Sequence, residues 1–183
     1  ELTGVKRWNI DSAISERVLD AGNSHLLILM QNGDLYGLGR NGGSNIGTFG
    51  TGNNTHFSNA TLINTSSFIG SNTIKSVYCS RSNSRDKGTS CVLLSNNNLY
   101  CTGELYYYED TSSEKEVFTY ITNNVKQVEI LDDSSIFYLD TSNVVKGWGW
   151  SSGGRLGTGT LDTIQKPSQA IAINLGSAST KMN

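Results

Sequence analysis

The stretch SSIFYLDTSNVVKGWGWSSGGRLGTG, residues 134–159, contains an apolar segment, a short polar turn and a second segment that ends at Gly149. Apolar segments on both sides of a turn rich in Ser, Thr and Asn predict a β-hairpin. A second glycine group follows the hairpin, and its Gly157 stands eight residues after Gly149. Glycine tolerates the conformations of tight turns, so this group is expected where the chain leaves the strand.

The same order of segments occurs twice earlier in the chain. Residues 21–43 read AGNSHLLILMQNGDLYGLGRNGG, and residues 89–106 read TSCVLLSNNNLYCTGELY. Their closing glycines, Gly39 and Gly103, align with Gly149 at spacings of 64 and 46 residues. Repeats of about this length are typical of propeller blades. We therefore predict an all-β fold of β-propeller type, with each hairpin at the centre of its own antiparallel sheet and with the hairpins at residues 26–39, 91–103 and 136–149.

The alignment of the closing glycines also predicts which positions are equivalent. In the first arms of the hairpins, the equivalent sets are Leu29, Leu94 and Leu139, and His25, Ser90 and Ser135. Gly47 follows Gly39 by the same eight residues that separate the two glycines of the third repeat. The second repeat lacks this later glycine and continues into the run Tyr106, Tyr107 and Tyr108.

These motifs resemble the regulator of chromosome condensation repeat, a propeller family whose founding members have seven blades. The shared features are a glycine and a histidine before the first strand, a strand ending in Trp-Gly, and a later Gly-x-Leu-Gly-x-Gly. In repeats one and three the positions that match the family are Gly22, His25, Gly39, Gly47, Trp148, Gly149 and Gly157. Repeat two keeps only the hairpin, which is closed by Gly103. The resemblance implies that these residues are structural, with Trp148 in the core and His25 as a hydrogen-bonded core residue.

Three repeats are too few to close a propeller, which needs about four to eight blades. We therefore expect a partial or open propeller of about three blades. Residues 1–17 are interpreted as an N-terminal strip or the end of a preceding blade, residues 18–175 as the three repeats, and residues 176–183 as a C-terminal tail. Open ends expose strand edges, which pair readily with other chains. The chain is thus expected to be a segment of a larger propeller, or to pack against a partner or copies of itself.

The three cysteines, Cys79, Cys91 and Cys101, form no CxxC pair and have too few histidine neighbours for a zinc site. Buried free thiols are the favoured interpretation, because cysteine is among the most buried residue types. Cys91 and Cys101 lie on the two arms of one predicted hairpin. A cross-strand disulfide between them therefore stays open as the alternative.

The residue inventory argues against catalysis and against several classes of partner. The chain has two histidines, His25 and His56, and it contains no nucleophile elbow, phosphate-binding loop or HExxH motif. With 14 basic and 16 acidic residues the net charge is −2, so no nucleic-acid partner is expected. No apolar run is long enough for membrane insertion. We predict a protein that is not an enzyme and has no cofactor and no bound metal.

The candidate partner contacts are aromatic. Tyrosines supply large contact areas at interfaces, which makes the run Tyr106, Tyr107 and Tyr108 a candidate, although alternate members could instead lie in the core. Trp150 is the fourth candidate. Strand alternation would place it on the same face as Trp148, but it lies where the strand leaves the sheet and could cover an exposed face.

Low charge and abundant Asn, Ser and Thr favour a non-catalytic binding or scaffolding module. We interpret it as part of an extracellular or viral recognition assembly, such as a tail fibre, baseplate or adhesin, whose partner is a protein or surface receptor. The resemblance implies a different role, because the founding family member is a nucleotide-exchange factor for a nuclear transport GTPase. That role requires a projecting hairpin and basic tails, which the sequence does not identify. An intracellular regulator acting on a small GTPase is therefore the alternative.

Overall fold

The computed structural model describes residues 17–42, 47–81, 88–105, 108–110, 114–131, 135–161, 163–164 and 166–173. Within these ranges the chain forms three four-stranded antiparallel sheets. Tyr106 and Tyr107, and almost all of the predicted N-terminal strip and C-terminal tail, lie outside the described residues. The predicted division of the chain at residues 17 and 175 stays a prediction.

Each sheet is one blade, and the blades are numbered in chain order. Blade 1 consists of β1 (Leu19–Ala21), β2 (His25–Leu29), β3 (Leu35–Gly39) and β4 (Phe57–Ile63). Blade 2 consists of β5 (Ile74–Cys79), β6 (Thr89–Leu94), β7 (Leu99–Glu104) and β8 (Glu114–Thr122). Blade 3 consists of β9 (Val125–Leu131), β10 (Ser135–Asp140), β11 (Val145–Gly149) and β12 (Ile171–Ala172).

Neighbouring strands in each blade follow one another in the chain, so the central pair of every blade is the hairpin that ends at the aligned glycine. The prediction of an all-β, propeller-type fold of about three blades is confirmed. The described helical segments are a short turn of α-helix α1 (Ser66–Ile69) and two 3-10 turns, Ser152–Gly154 and Pro167–Gln169. None of the helices in these ranges is long and apolar enough to cross a bilayer.

The blades pack face to face through two apolar clusters. Successive residues of a strand point to opposite faces of its sheet, so blade 2 contributes to both clusters. The buried residues between blades 1 and 2 are Leu27, Leu29, Leu35, Phe49, Ile63, Ile74, Val77, Cys79, Val92, Leu94 and Phe118. The buried residues between blades 2 and 3 are Tyr78, Cys91, Leu93, Leu99, Cys101, Leu105, Tyr108, Ile121, Val125, Val128, Ile136, Tyr138 and Trp148.

The strand register corrects one predicted set of equivalent positions. Gly39 pairs with His25 in blade 1, and Gly103 pairs with Thr89 in blade 2. The equivalent of His25 in the second repeat is therefore Thr89 and not Ser90. All six residues of β6 are buried, so this strand has no alternation of buried and exposed residues that would reveal its register.

The same displacement affects the leucine positions. Leu29 pairs with Leu35, and Leu93 pairs with Leu99, so Leu93 and not Leu94 is the equivalent of Leu29. A shift of one residue exchanges the two faces of a strand. Leu94 accordingly packs toward blade 1, whereas Leu93 packs toward blade 3.

The cysteines also differ from the favoured interpretation. Cys91 pairs with Cys101 directly across the β6–β7 hairpin, and a disulfide joins them. Their Cα atoms are 4.1 Å apart, because the register places them at opposed positions of neighbouring strands. The prediction of free thiols is therefore wrong for this pair. Cys79 is a buried free thiol, and burial raises its pKa above the usual range.

Gly103 is the closing glycine whose role is clearest. Its φ is +93°, and a Cβ atom there would stand 2.1 Å from the carbonyl oxygen of Gly88. Both the left-handed backbone and the close approach exclude other residues. The chain can therefore leave the second strand of this hairpin along its observed path only with glycine at this position.

Candidate partner-binding surface

The two tryptophans that flank Gly149 have different environments. Trp148 is completely buried, and its ring meets that of Tyr138 edge to face with 6.0 Å between centroids. The side chain of Trp150 is 45% exposed. Strand β11 ends at Gly149, whose φ of +120° interrupts the alternation that would have placed both rings on one face. The structure therefore supports the core role of Trp148 and leaves Trp150 at the surface.

Trp150 begins a loop that is closed at its base. Gly149 and Ile164 exchange backbone hydrogen bonds of 2.9 and 3.0 Å, so the chain leaves the blade after Gly149 and returns to the same point at Ile164. Leu156, which belongs to this loop, is completely buried. Ser151 is also buried, and its hydroxyl donates to the carbonyl oxygen of Thr160 at 3.4 Å. The leucine of the Gly-x-Leu-Gly-x-Gly motif, Leu156, therefore anchors the loop through its buried side chain.

Two side chains of this loop, the ring of Trp150 and the guanidinium group of Arg155, contact each other. The Cζ atom of Arg155 lies 4.9 Å from the ring centroid of Trp150, which is a cation–π distance. The Ser135 hydroxyl donates to the backbone oxygen of Trp150 at 3.0 Å and holds the start of the loop against β10. We call the side chains of Trp150 and Arg155 the Trp150–Arg155 pair. A partly exposed aromatic ring with an adjacent arginine is typical of the residues that dominate protein interfaces.

The tyrosine candidates lie elsewhere. Tyr108 is 1% exposed, and its hydroxyl donates to the Gly103 carbonyl oxygen at 3.1 Å. Burial raises the pKa of Tyr108 well above its usual value. Tyr108 therefore occupies the core, as in the alternative interpretation of the tyrosine run, and it is not available to a partner in this structure. Tyr106 and Tyr107 lie outside the described residues, and their role in binding stays a prediction.

His25 is enclosed between blades 1 and 2. It is 4% exposed, and burial lowers its pKa from 6.5 to about 4, although a hydrogen bond with the Thr89 backbone acts in the opposite direction. Cβ atoms at Gly22 and Gly88 would stand 2.6 and 2.9 Å from its ring, so both glycines make room for the imidazole. His25 is thus a neutral core residue. Gly88 is part of this arrangement, and the sequence alignment did not single it out because its contact crosses between blades.

A second polar centre, Asn41, was also missed. Asn41 is completely buried, and it accepts the Phe49 N–H at 2.8 Å and donates to the Asn53 carbonyl oxygen at 2.7 Å. Its own N–H donates to Nδ1 of His56 at 3.1 Å. Nothing in the sequence distinguishes this asparagine from its many neighbours of the same type. The contacts show that it shapes the crossover loop containing Gly47.

The first strands of the three blades, β1, β5 and β9, line an open cleft of about 510 Å³. Arg17 lies at its wall and forms ion pairs with Asp20 at 3.3 Å and Glu129 at 3.0 Å, while its guanidinium group stacks on Tyr78. Both carboxylates are therefore already paired with Arg17. Among the described residues, no group of three or more His, Cys, Asp or Glu side chains is placed to hold a metal ion.

Comparison with known proteins identifies the fold. No family model and no curated protein matches the sequence. Among solved structures, the chain is similar to Prp20p from Saccharomyces cerevisiae, with 20% identity, a TM-score of 0.65, and coverage of 86% of this chain and 37% of that one. It is similar to yeast RCC1 (Prp20) bound to Kap60, with 21% identity, a TM-score of 0.63, and coverage of 80% and 34%. It is also similar to human WBSCR16, with 15% identity, a TM-score of 0.65, and coverage of 88% of this chain and 40% of that one.

These similarities confirm an RCC1-like repeat fold, and the chain spans well under half the length of each of these proteins. They also correct the expected location. The Prp20p structure is described together with its binding to Gsp1p and histones, and histones are proteins of the cell nucleus. The leaning toward an extracellular or virion-associated location is therefore wrong. The abundance of Asn, Ser and Thr does not indicate a compartment.

Proposed function

We propose that this chain, which has the RCC1-like repeat fold, is a non-catalytic protein-binding module that contacts its partner through the Trp150–Arg155 pair. The observation that carries the proposal is the stacking of Arg155 on a tryptophan that is 45% exposed, on a loop closed by Gly149 and Ile164. A loop that is already ordered loses little conformational entropy on binding. A large aromatic ring placed on such a loop supports tight binding from few contacts.

The proposal that the module is not an enzyme rests on the environment of its titratable groups. His25 is buried and neutral at pH 7, because its pKa is lowered to about 4. The Cys79 thiol is buried and its pKa is raised, so it is a poor nucleophile. A general base or nucleophile must reach a substrate from an accessible site. Neither of these groups meets that requirement.

Regulation of a small GTPase is the second candidate function, and it has better support than the extracellular or viral scaffold. Prp20p is described as binding Gsp1p and histones, and yeast RCC1 as bound to Kap60, so proteins with this fold bind other proteins. The share of Prp20p that the chain spans is 37%, which makes the transfer of any one partner a proposal. We also propose that this chain packs against a further propeller blade.

The test uses purified Gsp1p and purified histones as immobilised probes in a surface plasmon resonance measurement. We expect one of them to bind, and Trp150→Ala to weaken binding by about 30-fold, the usual effect of removing a dominant interface residue. Val144→Asp is the control, because Val144 is 38% exposed at the tip of the third hairpin, where the first hairpin has Asp34. This variant should bind like the natural chain.

Release of labelled GDP from a small GTPase distinguishes the two candidates. Accelerated release that is lost in Trp150→Ala would support the regulatory function, whereas binding without release would support a binding module alone. Unchanged affinity of Trp150→Ala would remove the Trp150–Arg155 pair from the proposal. Absence of binding to both probes would contradict the proposed partners.

A further inference from the structure

The residue that follows each closing glycine begins the loop that leaves the blade. These exit residues are Arg40, Glu104 and Trp150, and the glycines before them have φ of +109°, +93° and +120°. Glycine has no Cβ atom that would restrict its backbone. The glycine alone therefore does not fix the direction in which an exit residue leaves the strand, and other contacts must hold it.

A side-chain hydroxyl at the start of the hairpin holds the exit residue in two of the repeats. The first residue of β6 is Thr89 and that of β10 is Ser135, and each lies opposite the closing glycine. The Thr89 hydroxyl donates to the carbonyl oxygen of Glu104. The Ser135 hydroxyl donates to the carbonyl oxygen of Trp150 at 3.0 Å. We call this hydrogen bond, which occurs at equivalent positions of repeats two and three, the exit clamp.

Repeat one shows that the exit clamp is an additional contact. His25 occupies the same position, and its ring is hydrogen-bonded to the backbone of Thr89 in blade 2. The exit residue Arg40 is held by its N–H, which donates at 2.9 Å to the residue before β2, and Glu104 has the equivalent bond in repeat two. A hairpin of this fold can therefore close without the exit clamp, so the clamp is available for a role other than folding.

In repeat three the exit clamp acts on the residue that has the exposed ring. Ser135 has no exposed surface, so its hydroxyl holds the Trp150 carbonyl oxygen from inside the molecule. Arg155 stands five residues further along the same loop, and its Cζ atom lies 4.9 Å from the centroid of the Trp150 ring. The orientation of the Trp150 backbone sets the positions that its ring can reach. A hydrogen bond at that backbone is therefore placed to hold the ring beside the guanidinium group.

We propose that Ser135 is a positioning residue for partner binding, whose hydroxyl holds Trp150 where its ring stacks on Arg155. The inference rests on the proposed function, because buried Ser135 acts on a partner only through the Trp150–Arg155 pair. A surface that is already held in its bound conformation loses less conformational entropy on association. Loss of the exit clamp should therefore weaken binding while the blade stays folded.

Three substitutions of Ser135 separate the hydrogen bond from packing. Ser135→Ala removes the hydroxyl, and Ser135→Thr keeps it, as Thr89 does at the equivalent position of repeat two. Ser135→Val has the β-branched shape of threonine without the hydroxyl, so the Thr and Val variants are a matched pair. Circular dichroism verifies that each variant is folded. If Ser135→Val is not folded, the comparison of Ser135→Ala with Ser135→Thr decides.

Proton NMR measures the effect of the exit clamp without any partner. The ring current of an indole shifts the side-chain protons of a stacked arginine, and Trp150→Ala gives the unshifted reference for Arg155. We expect the Arg155 signals to move most of the way to this reference in Ser135→Ala and Ser135→Val, and to keep their natural position in Ser135→Thr. Arg155 signals that stay in place in both variants without the hydroxyl would overturn the proposal.

Surface plasmon resonance then measures binding to whichever of Gsp1p and histones binds the natural chain. Loss of one hydrogen bond corresponds to about 5-fold weaker binding, which we expect for Ser135→Ala and Ser135→Val but not for Ser135→Thr. Natural affinity of Ser135→Ala, although its Arg155 signals have moved, would refute the role of Ser135 in binding. A natural chain that binds neither probe would count against the proposed function, whereas the NMR comparison would still decide whether Ser135 positions Trp150.

Discussion

Cys91 is bonded to Cys101 directly across the second hairpin, at the position where the first hairpin has Leu27 opposite Gly37. The third hairpin has Phe137 opposite Gly147 at this position. The two other repeats thus fill the space with one large side chain beside a glycine. The second repeat fills the same space with the two sulfur atoms of the disulfide.

We predict that this disulfide stabilises blade 2. It closes a segment of ten residues, and the loss of chain entropy in the unfolded state corresponds to about 3 kcal/mol. The free energy of unfolding in urea should fall by about that amount in the double variant Cys91→Ala/Cys101→Ala. Reductant should destabilise the natural chain and leave the double variant unchanged. Cys79→Ala is the control and should keep the full response to reductant, and a natural chain that is insensitive to reductant would contradict the prediction.

His25 should make the stability depend on pH. Its pKa is about 4 in the folded protein and 6.5 when unfolded, so between these values the unfolded chain binds a proton that the folded chain does not. Stability is fully present above pH 6.5 and is lost as the pH falls toward 4, by up to about 3 kcal/mol. Urea unfolding at several pH values measures this. His25→Thr, which copies Thr89 of the second repeat, should be less stable at pH 7 but show a flatter dependence on pH. A variant with the same slope as the natural chain would exclude His25 as the cause.

Gly103→Ala should be far more damaging than Gly33→Ala. Both glycines have φ near +90°, which costs any other residue about 1–2 kcal/mol. A Cβ atom at Gly33 meets nothing within 4 Å, whereas one at Gly103 stands 2.1 Å from a backbone oxygen. We therefore expect a cost of about 1–2 kcal/mol for Gly33→Ala and more than about 3 kcal/mol for Gly103→Ala. Thermal unfolding compares the two variants, and equal losses would show that the close contact is unimportant.

A further variant refines this comparison. Gly33 is the turn position held by Asn97 and Asn143 in the other two hairpins, with φ of +66° and +63°. Asparagine tolerates the left-handed region better than other non-glycine residues. Gly33→Asn is therefore expected to cost less than Gly33→Ala.

Substitution of Trp148 should lower the stability of the protein, whereas substitution of Trp150 should affect binding with little loss of stability. Trp148→Ala empties a fully buried site beside Tyr138 and should cost about 3–5 kcal/mol. Trp150→Ala removes an exposed ring and its contact with Arg155, and should cost under about 1 kcal/mol. Urea unfolding measures both. A large loss of stability in Trp150→Ala would mean that this side chain is structural and would undermine its use as a binding probe.

The sequence by itself determined the repeat and therefore the fold class. Gly39, Gly103 and Gly149 mark the ends of the three hairpins, and all three have a positive φ that disfavours a side chain. At Gly39 and Gly103 a close backbone oxygen excludes a side chain as well. These constraints are local, so they are visible as spacing in the chain. The apolar first arms and polar turns between them are local in the same sense. All three central strand pairs followed from these signals.

Only the tertiary structure decided the register of β6 and the partner of Cys91. A strand that is buried at every position, as β6 is, has no alternation to reveal which residues face which neighbouring blade, so Ser90 was matched to His25 in place of Thr89. The separation of Trp148 from Trp150, and the burial of Tyr108, depend likewise on where a strand ends and which blade covers it. These are contacts between residues distant in the chain, and the free energy of burial that selects them exists only once the blades have packed.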